Sequence, residues 1–162
     1  MATSMSCILS FLVILMYVLP SESSAVSDPC VSHERIHKGK YRGTKCNYRL
    51  GKAVNDRYIK DSMWYIAVGS NGPLSMPTFP VNVDECSTKL PIWMNGTHPD
   101  TGVTVNRTAC MTGPTMKCQE EYKIQVKNCS AFNVYKLQKT TGLEMAYCFG
   151  KKRENVPCPP TD

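Results

Sequence analysis

The chain is 162 residues long with a formal net charge of +6, nine cysteines and three histidines. That length holds one ordinary domain and not two, and the mild basicity is well short of a nucleic-acid-binding excess. With 42% hydrophobic residues it has enough apolar material for a modest packed core.

At the N-terminus, Ile8 to Leu19 is an apolar run interrupted only by Ser10. It has the length of a secretory signal core and is too short to span a bilayer. Pro20 ends it, and Ser23-Ser24-Ala25 supplies the small residues a signal peptidase reads, so residues 1–25 are expected to be a signal peptide cleaved after Ala25. Its loss removes Glu22 and no Lys or Arg, raising the balance from +6 to +7. No later run is long and apolar enough for a span or a lipid-anchor signal, so a secreted, extracellular protein is expected.

Between Asp28 and Lys60 the composition is polar and poor in periodic apolar residues, which reads as a loop-rich segment with little core of its own. Between Arg35 and Lys60, the cations Lys38, Lys40, Arg42, Lys45, Arg49, Lys52 and Arg57 meet only Asp56 as an acid. Such a stretch suits anionic glycans or cell surfaces, although a solvated charged face is its commoner meaning. Met63 to Val68 then reads as a strand with Trp64, Ile66 and Val68 on one face, ended by the turn signal Gly69-Ser70-Asn71-Gly72-Pro73. Pro73, Pro77 and Pro80 exclude a helix or central strand over the next stretch.

Leu90 to Met94 is a short apolar element before the turn dipeptide Asn95-Gly96. The clearest pattern comes later, where Tyr122, Ile124 and Val126 alternate with Lys123, Gln125 and Lys127 as in a half-buried strand. Phe132 to Leu137 and Leu143 to Phe149 follow as further strands. The predicted fold is therefore mainly β, a small disulfide-rich domain with an antiparallel meander near the C-terminus and little helix. One domain over 26–150 and a short tail over 151–162 are expected. Within that tail, Lys151-Lys152-Arg153 reads as a solvated linker or a basic processing site.

Without Cys7, which leaves with the signal, eight cysteines remain: Cys30, Cys46, Cys86, Cys110, Cys118, Cys129, Cys148 and Cys158. An even set in an oxidising compartment implies four disulfides, but about a hundred connectivities are open to it. No C-x-x-C clip is present, so no metal is expected. Three N-glycosylation sequons occur, at Asn95, Asn106 and Asn128. The first two end in Thr within polar segments, whereas Asn128 adjoins a cysteine. His33 and His37 have i, i+4 spacing but no helix to align them, and His98 follows Thr97 with no cysteine or serine nucleophile beside it in sequence. With no nucleophile elbow and no phosphate-binding glycine loop, no catalytic residue and no cofactor are assigned, and a binding role is expected rather than an enzyme.

Asp28-Pro29-Cys30, Trp64-Tyr65, Pro91-Ile92-Trp93-Met94-Asn95-Gly96-Thr97-His98-Pro99, Ala109-Cys110, Val126-Lys127-Asn128-Cys129, Val134-Tyr135-Lys136-Leu137 and Ala146-Tyr147-Cys148 form an ordered set. The set resembles the extracellular cysteine-rich module shared by uromodulin, the pancreatic zymogen-granule glycoprotein and oncoprotein-induced transcript 3 protein. The resemblance implies a glycosylated, disulfide-bonded module that displays glycans recognised by microbial adhesins. Relatives carry cysteines where Pro80, Gln119 and Leu143 align, which leaves seven family-type cysteines here. Two losses would remove one bridge together, and the third would leave a widowed cysteine for Cys158 to occupy; covalent oligomers through an odd thiol are the rival outcome. Asn95 is the sequon that matches the family motif, while a family sequon near Tyr135 to Gln138 is missing. The expected partner is an extracellular protein or glycan, not nucleic acid, with no membrane span once the signal is gone. The alternative to recognition is a disulfide-linked structural component of matrix or mucus.

Overall fold

The computed structural model describes residues 27–49, 53–150 and 158–159; the expected signal peptide, Lys52 and the basic triplet Lys151 to Arg153 lie outside them. Among the described residues, eight strands run β1 (Glu34–Arg35), β2 (Trp64–Gly69), β3 (Gly72–Leu74), β4 (Leu90–Asn95), β5 (Thr104–Met111), β6 (Glu120–Asn128), β7 (Asn133–Lys136) and β8 (Met145–Tyr147). The one helical element among them is a single 3-10 turn at Gly39–Tyr41. The mainly β, disulfide-rich class expected from the sequence is the class observed.

The sheet order is β1-β2-β7-β6-β5-β4-β8, with β3 paired to β2 off that path. A meander is present, but it runs β4-β5-β6-β7, each strand antiparallel to the next. The segment around Met145 to Tyr147 does not continue it. It crosses to the far side and pairs in parallel with β4, in the register Leu90↔Met145 and Ile92↔Tyr147. β5 gave no sequence signal. Its inward residues are Val105, Arg107, Ala109 and Met111, and the arginine and the small alanine blur the period of two.

Alternation in β6 puts Tyr122, Ile124 and Val126 into the main core, where they meet Ile92, Met94, Ala109 and Met111 from β4 and β5. β2 presents Tyr65 and Ala67 to this core rather than the Trp64, Ile66 and Val68 face, because its register places Tyr65 opposite Tyr135 and Trp64 opposite Lys136. A second cluster sits on the other side around Trp93, with Val81, Cys86, Cys110 and Cys148. The Trp93 indole donates to the Lys117 carbonyl.

The leading segment has more core than its composition suggested: Ile36, Tyr41, Cys46, Val54 and Ile59 are all buried. Gly39 lets it lie flat on β2, since a Cβ there would stand 2.7 Å from the Val68 carbonyl oxygen. Its deepest contribution is ionic. Arg42, fully buried, bonds Asp56 with both terminal nitrogens, Nη1 to Oδ2 at 2.7 Å and Nη2 to Oδ1 at 2.6 Å. The remaining donors reach the carbonyls of His37 and Tyr147. Asp56 accepts the Tyr147 amide through Oδ2 and donates its own amide to the Met145 carbonyl, while the Phe149 amide donates to the Arg42 carbonyl. One ion pair thus stands in for a neighbouring strand along the outer edge of β8, where unpaired backbone groups would be costly and prone to wrong pairing.

Breaking one partner of a buried pair costs about 3–5 kcal/mol, because the other charge stays behind without compensation. Asp56→Asn and Arg42→Met should each lower stability by about that amount in urea denaturation of the oxidised protein. The double variant should lose clearly less than the two single losses added, since the groups act as a unit.

Candidate functional site

The outer side of the sheet is covered unevenly. At the β4 and β5 end the Trp93 cluster roofs it. At the β7 end the N-terminal residues cover it: Cys30 is bonded to Cys129, the Asp28 carboxylate meets Lys127 Nζ at 2.9 Å, and the His33 ring meets Phe132 edge-on at 5.5 Å. Between these covers lies an open strip of side chains. Strand register brings Asn95, Thr108 and Lys123 into one cross-strand row, and Asn106, Gln125, Lys136 and Trp64 into the next.

Two of the three sequons stand on that strip. Asn95 and Asn106 are both exposed and occupy diagonal positions on neighbouring antiparallel strands, a spacing of about 7–8 Å. Asn106 Oδ1 accepts from Gln125 Nε2 at 3.1 Å, and the Thr108 hydroxyl accepts from Lys123 Nζ at 3.3 Å. Asn128 is held differently. It is half-buried, its Nδ2 donates to the Pro99 carbonyl at 2.9 Å, its Oδ1 accepts the Ser130 amide at 2.9 Å, and its neighbour Cys129 is bonded to Cys30.

The cations of the leading segment do not form one patch. Arg42 is consumed in the core, Lys38 Nζ donates to the Ala53 carbonyl, and Arg49 approaches Asp84 at 3.5 Å. Arg35, Lys40 and Lys45 instead line two adjoining clefts beside the β2–β3 hairpin, of about 320 and 290 Å³. Lys40, Gly69 and Ser70 border both. The sequence showed the hairpin turn but not the clefts, which exist only because the 40–46 stretch folds across toward it.

All eight cysteines from Cys30 to Cys158 are bonded within the chain, as Cys30–Cys129, Cys46–Cys158, Cys86–Cys148 and Cys110–Cys118. Cys110, Cys118 and Glu121 bring their candidate ligand atoms within 4.8 Å of one another, but the two sulfurs are bonded together and offer no thiolate to a metal. The histidines are not gathered. His33 Nδ1 lies 2.9 Å from the Pro29 carbonyl, whereas His98 Nε2 lies 3.1 Å from the Tyr135 hydroxyl. Burial holds that phenol well above its usual pKa, and it accepts the Met76 amide. No helix among the described residues is long and apolar enough to cross a membrane.

Comparison with known proteins agrees with this architecture. The family model of the uromodulin-like domain matches residues 65–149. The pancreatic secretory granule membrane major glycoprotein GP2 of Rattus norvegicus is 33% identical over 154 residues, which is 88% of this chain and 28% of that protein. The Homo sapiens protein of the same name is 32% identical, over 78% of this chain and 23% of its own length. Uromodulin of Mus musculus is 33% identical, over 80% of this chain and 19% of its own length. The chain therefore spans less than a third of the length of these relatives. With its cysteines oxidised in pairs, it is a secreted, extracellular protein.

The clasp at Asp28 predicts a pH dependence. The Cys30 amide and then the Lys127 ammonium hold the Asp28 carboxyl below its ordinary value of 3.8. Its contribution is complete above that value and is lost as pH falls through the lower folded pKa. An NMR titration of the Cys30 amide should show a midpoint below 3.8 that disappears in Asp28→Asn; a midpoint at or above 3.8 would contradict the clasp.

Proposed function

The chain belongs to the uromodulin-like domain family, and from that premise we propose that it acts as an extracellular recognition module, binding a protein or glycan partner and displaying N-glycans at Asn95 and Asn106. It works by presentation on a rigid surface rather than by catalysis, as the mature product of a chain whose leader ends at Ala25. The observation that carries this reading is the open strip of the sheet. A flat half of a small domain normally finds a cover, yet here two exposed sequon asparagines stand side by side where a cover would sit. Glycans are bulky and soluble, and two of them on that strip shield the exposed sheet while leaving their outer sugars accessible.

The disulfide-linked structural reading needs a thiol to reach another chain, and the eight cysteines from Cys30 to Cys158 are spent internally. Recognition through the glycans agrees with what the family resemblance implies, adhesin binding by displayed sugars. The glycans here would stand on Asn95 and Asn106, without the family position near Tyr135 to Gln138.

Mass analysis of protein from secretory-cell medium should show one glycan lost in Asn95→Gln, one in Asn106→Gln, and none in Ser130→Ala, which removes the third sequon while keeping Asn128 in place. The immobilised glycoprotein should also capture bacteria carrying lectin-type adhesins, with capture abolished in the folded double variant. Equal capture by both would shift recognition to the protein surface, and a glycan only at Asn128 would overturn the reading.

A further inference from the structure

We propose that the paired clefts beside the β2–β3 hairpin bind an anionic sugar unit of an extracellular glycan, so that the module reads acidic glycans as well as displaying its own. The proposal extends the recognition reading to a second, protein-borne site and does not depend on occupancy of Asn95 or Asn106.

The clefts lie between the 40–46 stretch and the hairpin. Each stands at the lower end of the range seen for small-ligand sites, and they share a border at Lys40, Gly69 and Ser70. Arg35 stands in one, Lys45 in the other and Lys40 between them. Among the described residues, no aspartate or glutamate lines either cleft. Glu34, the acid next to Arg35, precedes it on β1, where successive side chains point to opposite sides. The rest of the lining is what a sugar requires. Pro73 and Leu74 form an apolar surface for the C–H face of a pyranose, and Thr44, Ser70 and Asn71 bring hydroxyl and amide groups for its hydroxyls.

Rigidity favours the same use. Gly69 is packed against the Leu74 side chain across the hairpin, Gly150 donates its amide to the Ser75 carbonyl, and the Cys46–Cys158 bridge borders the cleft through Cys46. Such a preformed site loses little freedom on binding. Lysines on its rim act as point charges, and the Arg35 guanidinium offers a planar fork suited to a carboxylate or a sulfate. Either group supplies the required chemistry, so the two sources are separated by experiment.

The test measures binding of a heparin-derived tetrasaccharide and of sialyllactose, each fluorescently labelled, to the oxidised Asn95→Gln/Asn106→Gln protein by anisotropy at physiological salt. Saturable binding of at least one probe is expected: preference for the tetrasaccharide assigns sulfate, and preference for sialyllactose assigns carboxylate. Arg35→Glu and Lys45→Glu should each weaken it tenfold or more. Ser70→Trp, which fills the cleft border without altering charge, should abolish it. Lys123→Glu on the open strip should leave it unchanged, and all variants should keep the parental thermal midpoint. Absence of saturable binding to both probes would overturn the proposal, as would equal weakening by Lys123→Glu, which marks a general charge effect. Because bacterial capture by the displayed glycans is measured separately, failure here leaves that reading standing.

Discussion

The buried pair between Arg42 and Asp56 is the interaction on which the architecture turns. Each residue comes from the polar leading segment, and each bonds the edge of a strand far along the chain, Arg42 reaching Tyr147 across a separation of 105 and Asp56 across one of 91. A strand at a sheet edge needs something beside it, and here that is a guanidinium, a carboxylate and two stretches of irregular backbone. The arrangement holds β8 against β4. It also fixes where Cys148 and Phe149 lie, and so the Cys86–Cys148 bridge and one border of the cleft that holds Lys45. Bidentate geometry with all three guanidinium nitrogens hydrogen-bonded separates this pair from the exposed ones, such as Lys89 with Glu144, whose net contribution is small.

The disulfides divide the labour in space. Cys86–Cys148 and Cys110–Cys118 pack with Trp93 as part of a second apolar cluster. Cys30–Cys129 clamps the N-terminal cover on β6 and β7, and Cys46–Cys158 joins the 40–46 stretch to the tail. The three bridges that close long loops remove much of the freedom of the unfolded chain, a contribution of about 4 kcal/mol each in the chain-entropy view. A small domain stapled in this way can leave part of one sheet face bare without losing its fold. The bare part is the strip bearing Asn95 and Asn106, and the hairpin clefts lie beside the 40–46 stretch.

Local chemistry was legible where local chemistry decides. The alternation of Tyr122, Ile124 and Val126, the aromatic and β-branched run at Trp64 to Val68, and the turn at Gly69 to Pro73 all mark structure within a few residues. The missed features depend on distant partners. β8 carries the same strand signature whether it pairs with β7 or crosses to β4, and its place is set by distant partners, Asp56, Arg42 and Cys86. Asp56 and Arg42 look in sequence like members of a charged surface stretch, because nothing local reveals that an arginine is buried. β5 escaped notice because Arg107 occupies an inward position beside the loop that joins β4 to β5, where its guanidinium bonds the Thr97 and Asn106 carbonyls instead of entering the core. The clefts were invisible for a similar reason: their cations, Arg35, Lys40 and Lys45, lie far in sequence from the hairpin that forms the opposite wall.

A self-contained unit, with its leading segment locked to its C-terminal strand, is most directly tested by non-reducing peptide mapping of the mature protein from secretory-cell medium after thiol alkylation. Four linked peptide pairs are expected, joining Cys30 to Cys129, Cys46 to Cys158, Cys86 to Cys148 and Cys110 to Cys118, with no alkylated cysteine among them. An alkylated Cys46 or Cys158, or a peptide pair linking two copies of the chain, would contradict it and favour the cross-linked structural role over recognition.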